Sequence, residues 1–255
     1  MKIKSNRLPL ISIVMPCFNS AQFVADAINS VTNQSYKNWE LIVVDDNSTD
    51  DTVRVVSAFE KKNRKIKLIK CSSNGGTAGA RNNALDIASG DFIAFLDSDD
   101  LWDQNFLEEM YYFASTNKFK FCYASCRVVD FDSNKTLRSN IVSLKCSYLN
   151  MLHYNHIPCL TAFVSRDLIG GQRMKDSLAQ DYIFWLQLLK KIDFAYGNVN
   201  ILATYRVRKN SISRNKIKML TSRWQIYRNQ EELSFFTSLI YLLSFMKKMT
   251  VRYVI

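Results

Sequence analysis

Apolar residues in the first hundred positions gather into four short runs, each ending abruptly in polar residues. Leu10-Ile-Ser-Ile-Val-Met15 stops at Pro16, Leu41-Ile-Val-Val44 at Asp45-Asp46, Ile66-Lys-Leu-Ile69 at Lys70, and Phe92-Ile-Ala-Phe-Leu96 at Asp97-Ser-Asp99-Asp100. Such runs suit strands covered on both faces, as parallel strands are. Between the first two, Phe23, Val24, Ala27, Ile28 and Val31 recur at helical spacing, and Ser20 is placed to cap that helix. Ser48 with Asp51 three residues on has the form of a capping-box variant before a helix through Phe59. Asn74-Gly-Gly-Thr-Ala-Gly opens a helix to about Ala88 that Gly90 stops, and Trp102 to Thr116 is predicted helical. This β-α alternation predicts an α/β fold with a mostly parallel sheet flanked by helices.

Beyond residue 105 the pattern is less regular. Phe119 to Val129 and Ile157 to Ser165 are predicted strands, Asp167 to Asp176 is a polar loop, and Leu178 to Leu189 is a helix with Asp181 in its first turn. Leu233 to Met246 is 14 residues without a charge, flanked by Arg223, Arg228, Lys247, Lys248 and Arg252. A bilayer span needs roughly 20 apolar residues. The segment is therefore either an interfacial helix with basic flanks or a helix packed on the sheet.

Open α/β sheets bind ligands at the carboxyl ends of their strands. Three strand ends deliver Asn19, then Asp45 and Asp46, then Asp97 and Asp99 to one rim. Asp97 and Asp99 lie two apart, so in extended chain their side chains point the same way. Like charges held close call for a cation between them, and a hard divalent ion with oxygen ligands serves. The alternatives are structural: a solvated acidic turn before the next helix, a helix-entry turn at Asp45-Asp46, and for Asp181 a carboxylate favoured by the dipole of its own helix.

Composition narrows the classes. At 255 residues and 47% hydrophobic content the chain can bury a full core, as one large domain or a domain with an appendage, and 7 Gly with 3 Pro argue against disorder. Six cysteines without a C-x-x-C pair, after a start with no apolar secretory segment, imply free thiols in a reducing cytoplasm. Cys122 and Cys126 with His153 and His156 make a poor zinc set. The formal charge is +11, and from Arg206 to Ile255 eleven Lys and Arg face only Glu231 and Glu232. An anionic partner is implied, but no RNA-reading or helix-turn-helix pattern accompanies the charge, so no nucleic acid is expected. No G-x-G-x-x-G follows the first strand, which disfavours a dinucleotide oxidoreductase.

Four motifs, Ser12-Ile-Val-Met-Pro-Cys-Phe-Asn19, Val44-Asp-Asp-Asn-Ser-Thr-Asp50, Gly79-Ala-Arg81-Asn82 and Gly90 to Asp100, stand in an order and spacing that resemble the family 2 glycosyltransferases of bacterial surface-polysaccharide synthesis. The resemblance is specific over about residues 9–105 and persists more weakly to about 213. It implies the GT-A fold: a Rossmann-like sheet with a nucleotide half at about 9–105, an acceptor half at about 106–215 and a basic helical tail from 216 to 255. It further implies an inverting transferase of a hexose, glucose or galactose, from a UDP-sugar to a lipid-linked sugar diphosphate at the inner face of a membrane whose anionic surface the tail meets. Pro16, Asn19, Asp45, Asp46, Arg81, Asp97, Ser98 and Arg208 would hold the nucleotide, Asp45 at the uracil or ribose. Asp99, with Asp97, would bind Mn2+ or Mg2+. Asp181 would be the general base. The family's acidic pair is Gln180-Asp181 here, and the His of its closing Tyr-Arg-x-His is Arg208, which could pair with diphosphate oxygens instead. A sugar-nucleotide-binding module without turnover is the alternative.

Overall fold

The apolar runs become the strands of one sheet, and two of them, β1 (Ile11–Cys17) and β2 (Trp39–Asp45), are buried at every residue. The computed structural model describes residues 8–207 and 216–254, the side chains of 216 and 249–254 excepted. With α1 (Val24–Thr32), α2 (Thr52–Lys62), β3 (Ile66–Lys70), α3 (Gly76–Ile87) and β4 (Phe92–Phe95), the first half is the predicted βαβαβαβ unit. Its strands lie in the order β3-β2-β1-β4, all parallel. The second half adds β5 (Leu101–Trp102), α4 (Phe106–Asn117), β6 (Phe121–Asp130), β7 (Thr136–Asn140), β8 (Lys145–Cys146), α5 (Tyr148–His153), β9 (Phe163–Ser165), α6 (Arg166–Ile169), α7 (Gln180–Leu189) and β10 (Ala195–Val207), followed by α8 (Lys216–Gln225) and α9 (Phe235–Val254). The sheet continues β4-β9-β6-β10-β5, with β9 antiparallel to both its neighbours.

Alternation along the strands divides the core in two. Val14, Ile42, Val44, Ile93, Phe95 and Phe121 face α3, α5 and α7, while Ile13, Met15, Leu41, Val43, Ala94 and Leu96 face α1, α2 and α4. Each face is dry because helices cover it, which is why these strands could be apolar throughout. Gly90 serves spacing: a Cβ there would meet the Ser12 nitrogen at 2.5 Å and the Leu10 carbonyl oxygen at 2.8 Å. The chain crosses β1 at that point with no room for a side chain.

Several local expectations are corrected. Ser20 is not a side-chain cap; its hydroxyl turns to Ser98, and α1 begins three residues later than a Ser20 cap would start it, after backbone turns onto the Ser20 carbonyl. The Ser48–Asp51 capping box does not form, because Ser48 Oγ accepts from the Asn19 N–H and Asp50 takes the Thr52 N–H at 2.9 Å. Leu101-Trp102 pairs with Ala203-Thr204 as a short strand before α4 starts, with the Trp102 indole donating to the Leu160 carbonyl at 2.7 Å. The strand expected from Ile157 begins only at Phe163, after a 3-10 turn at Cys159–Thr161, and the loop from Asp167 contains most of α6.

The tail packs by one face on the helices that cover the sheet, α9 against α5 and α8. Ile226 and Tyr227, in a π turn after α8, join the core around α7, and the Tyr227 hydroxyl donates to the Leu152 carbonyl. On α9, Ser238 and Phe245 are buried, whereas Phe236, Leu239, Ile240 and Leu243 form an exposed apolar stripe at helical spacing. No helix among the described residues is long and apolar enough to cross a membrane.

At the opposite end of the sheet from the acidic rim, Glu40 ties three strands. One oxygen accepts from the Ser12 hydroxyl at 2.6 Å, the Ser89 N–H at 2.8 Å and the Ser89 hydroxyl at 2.7 Å, and the other from Lys67 at 2.8 Å. Burial pushes this carboxyl up, but those hydrogen bonds overrule it and bring it down to about 2. The folded value lies below the unfolded one of about 4.3, so the stabilisation is complete above pH 5 or so and is lost as the pH falls towards 2. Glu40→Gln should cost about 3 kcal/mol at pH 7 and flatten the acid limb of a stability profile measured by urea unfolding. An acid limb as steep as the parent's would assign it to other carboxylates.

Candidate active site

The carboxyl ends of β1, β2 and β4 carry the residues that the strand pattern sent there. Pro16 pairs with Val44 in the parallel register, and Asn19 follows with φ of 48°. An Asn tolerates that left-handed conformation, and it lets the side-chain oxygen accept the Thr49 N–H at 2.9 Å, joining the loops after β1 and β2. Asp45 is buried and accepts the Ser48 N–H at 3.1 Å. Asp46, also buried, accepts the Gly75 N–H at 2.8 Å and so anchors the start of α3. The helix-entry alternative therefore accounts for part of what both carboxylates do.

The loop after β4 is strapped from both sides. Ser98 and Ser20 share a hydrogen bond of 2.8 Å between buried hydroxyls. Asp100 is buried and takes the Arg206 N–H at 2.9 Å; its burial, and then the charges of Asp99 and Asp97, hold its carboxyl well above the usual carboxylate range. The Arg206 guanidinium donates to the Asp99 carbonyl and pairs with Asp26 on α1 at 3.0 Å. Arg81, buried on α3, pairs with Asp97 through one nitrogen, while its Nε has no hydrogen-bond partner among the described residues. Burial works against the charge of Arg81, and Asp97 and Asp181 outweigh it, so its pKa rises. Arg208, the other expected nucleotide contact, lies outside the described residues.

The oxygen donors fit a divalent cation of one kind. Among the described residues no three His, Cys, Asp or Glu side chains converge into a protein cage. Asp97 and Asp99, both half-buried, match in number the one or two carboxylates that a magnesium-type ion takes when substrate phosphates complete its shell.

Across the rim from this loop lies a cleft of about 360 Å³, in which Asp181 is the only carboxylate among the lining residues. It sits in the first turn of α7, a helix locked by Tyr182, Phe184, Trp185 and Leu186, all fully buried. Asn155 donates to its carboxylate at 3.3 Å. Cys159 and Pro158 form the adjoining wall. The cleft's far wall comes from the tail, through Met219, Arg223 and Phe245. Sequence reasoning missed Asn155, Arg206 as the strap and Arg223: each acts across more than 25 residues of chain.

The family model described as Glycosyl transferase family 2 matches residues 12–183, from β1 into α7. The chain is 36% identical, over 91% of its own length and 92% of the other's, to the Bacillus subtilis protein designated a teichuronic acid biosynthesis glycosyltransferase, TuaG. It is 37% identical, over 85% of each chain, to WfgD of Escherichia coli, named a UDP-Glc:α-D-GlcNAc-diphosphoundecaprenol β-1,3-glucosyltransferase. Among solved structures, the mannosyltransferase PcManGT of Pyrobaculum calidifontis, held with GDP-Man and Mn2+, superposes with a TM-score of 0.72 at 18% identity, covering 93% of this chain and 70% of that one. That likeness is one of fold, the GT-A fold. With the acidic rim and the family model covering both halves of the sheet, the chain belongs to glycosyl transferase family 2.

Proposed function

We propose that this transferase moves a hexose, glucose or galactose, from a UDP-sugar to a hydroxyl of a polyprenyl-diphosphate-linked acetamido sugar, with inversion at the anomeric carbon. The observation that carries the reading is the single carboxylate of the cleft: Asp181 stands on a rigid helix beside the acidic rim, with Asn155 to orient it. The name of WfgD supplies the chemical class of donor and acceptor.

In this reading Pro16, Asn19, Asp45 and Asp46 shape the nucleotide end, and Arg81 fixes Asp97 beneath the ribose. Ser98 and Ser20 hold the loop against α1. Asp97 and Asp99 would hold Mn2+ or Mg2+, which supplies positive charge to a departing diphosphate. Asp181 takes the proton of the acceptor hydroxyl as that oxygen forms its bond to C1, and the bond from C1 to the diphosphate breaks on the opposite face. One displacement suffices, so no covalent sugar-enzyme bond is formed and the configuration at C1 inverts.

The exposed stripe of α9 suits a peripheral place on the cytoplasmic face of the membrane. Phe236, Leu239, Ile240 and Leu243 provide apolar area, and the exposed Lys247 and Lys248 follow one turn on. Each basic residue near an anionic surface contributes about 1 kcal/mol. Reversible, salt-weakened docking results, with no spanning helix.

The direct assay is release of UDP from UDP-glucose or UDP-galactose with a polyprenyl-diphosphate acetamido sugar as acceptor; release that is indifferent to the acceptor would reject transfer. Asp181→Asn should leave UDP-sugar affinity within a few-fold and lower kcat by about two to four orders of magnitude, the worth of a general base. Loss of donor affinity at unchanged kcat would move Asp181 to the donor site. Asp99→Ala, or excess EDTA on the parent protein, should abolish turnover, and full activity in EDTA would remove the metal from the reading. Because the inner face of the tail is core, membrane docking is best tested by Phe236→Ser with Ile240→Ser. These substitutions should reduce co-sedimentation with phosphatidylglycerol vesicles severalfold without lowering the melting temperature, and equal sedimentation would rule the stripe out as a membrane contact.

A further inference from the structure

Arg223 is buried against aromatic rings with no ion-pair partner among the described residues. It enters from α8 with 6% of its surface exposed, and its guanidinium lies 3.5 Å from the centre of the Tyr182 ring and 4.6 Å from that of Phe245. No carboxylate of the described residues lies within ion-pair reach of it, and its Nη1 has no hydrogen-bond partner among them. Glu231, the acid that follows α8, is engaged by Lys190 at 2.7 Å and by the Tyr148 hydroxyl. A guanidinium held between two aromatic rings keeps its charge but loses water; the rings return part of that loss, and an anion that completes its fork of donors would return more.

The buried guanidinium borders a cleft. Arg223 lines the same cleft as Asp181, and Tyr182, on which it stacks, is the next residue to Asp181 on α7. A second cleft of about 700 Å³ shares Arg138, Asn140, Tyr154 and Asn155 with the first and runs to Lys247 and Lys248 on α9. The first cleft thus holds one carboxylate and one buried guanidinium, and the second, which shares part of its lining, adds two lysines.

We infer that Arg223 binds the diphosphate of the acceptor, and so selects acceptors that carry a diphosphate on the sugar whose hydroxyl meets Asp181. The inference rests on the proposed transfer to a lipid-linked sugar and names the part of the protein that reads the linkage. A diphosphate on C1 lies a single ring's width from the ring hydroxyls, and a planar guanidinium takes two phosphate oxygens at once. The donor's diphosphate is excluded from this role by position, since it belongs with Asp97 and Asp99 at the rim. The second cleft, with its lysines, then carries the start of the polyprenyl chain outwards.

The test compares two acceptors with one acetamido sugar: the short-chain prenyl diphosphate and the phosphate-free alkyl glycoside of similar chain length. Arg223→Met keeps an unbranched side chain against the two rings and removes the charge. It should raise KM for the diphosphate acceptor at least ten-fold, leave KM for the UDP-sugar unchanged, and leave kcat/KM for the glycoside within two-fold; Arg223→Lys should recover part of the loss. An equal loss on both acceptors, or a changed donor KM, would make Arg223 structural and overturn the inference. Should Arg223→Met melt too low to assay, the parent protein decides: a short alkyl diphosphate should inhibit transfer to the glycoside competitively with the acceptor and not with the UDP-sugar. Inhibition competitive with the UDP-sugar alone, or none, would overturn it. If the parent protein transfers to neither acceptor, the proposed function itself fails, and transfer to both with equal KM removes only the role of Arg223.

Discussion

Negative charge gathered at one end of the sheet is the constraint that the rest of the site answers. Asp97, Asp99 and Asp100 stand within four residues at the end of β4, and the rise in the Asp100 carboxyl is partly the repulsion of the other two. Two buried arginines make the arrangement tolerable. Arg81 meets Asp97 from α3, and Arg206, from the last described strand residues before the tail, pins the Asp99 carbonyl and the Asp100 carboxylate while reaching Asp26 on α1. Both guanidiniums are buried while their acidic partners keep some exposure, and Arg206 ties the loop to α1 and β10 at once. The loop is thereby held at the carboxyl end of β4, on the rim where α/β folds bind nucleotides.

Much of this was legible in the sequence, for a physical reason. Strands buried on both faces must be apolar throughout, so β1, β2 and β4 announced themselves, and the polar residue ending each run marked the rim. Asp181 was legible as a helix-opening acid and through its family resemblance. Its neighbours Asn155 and Arg223 were not, because their roles depend on contacts between segments far apart in sequence that no periodicity encodes. Caps failed for a related reason. Ser20 and Ser48 look like helix caps locally, but tertiary partners, Ser98 and Asn19, claim their hydroxyls. The second half was hardest to read since its strands are short, mixed in direction and interrupted by the Cys159–Thr161 turn.

The tail resolves an ambiguity that sequence posed as a choice. A charge-free stretch with basic flanks suggested either a core helix or a surface one, and α9 is amphipathic in an unusual sense, apolar on both its buried and its exposed sides. Phe245 closes the cleft that holds Asp181, while Phe236 and Ile240 face outwards on the same rigid element. The cleft that holds Asp181 is in this way bordered by the same helix that presents the exposed apolar stripe.

The missing side chain at Gly90 bears on how the length of the chain can vary. It fixes where the polypeptide crosses β1, and from there Phe92 to Phe95 pair with Ile11 to Val14 residue for residue before the acidic loop begins. A strand places alternate residues on opposite faces, so one residue inserted or deleted between Gly90 and Asp97 would turn every side chain of β4 to the wrong core. In the surface turn between α2 and β3, Arg64 is exposed and precedes the first ladder contact, the Lys65 carbonyl with the Leu41 N–H. Length changes are therefore tolerable there, and the seven-residue interval from Gly90 to Asp97 is one in which the spacing itself, and not only the residue types, is fixed.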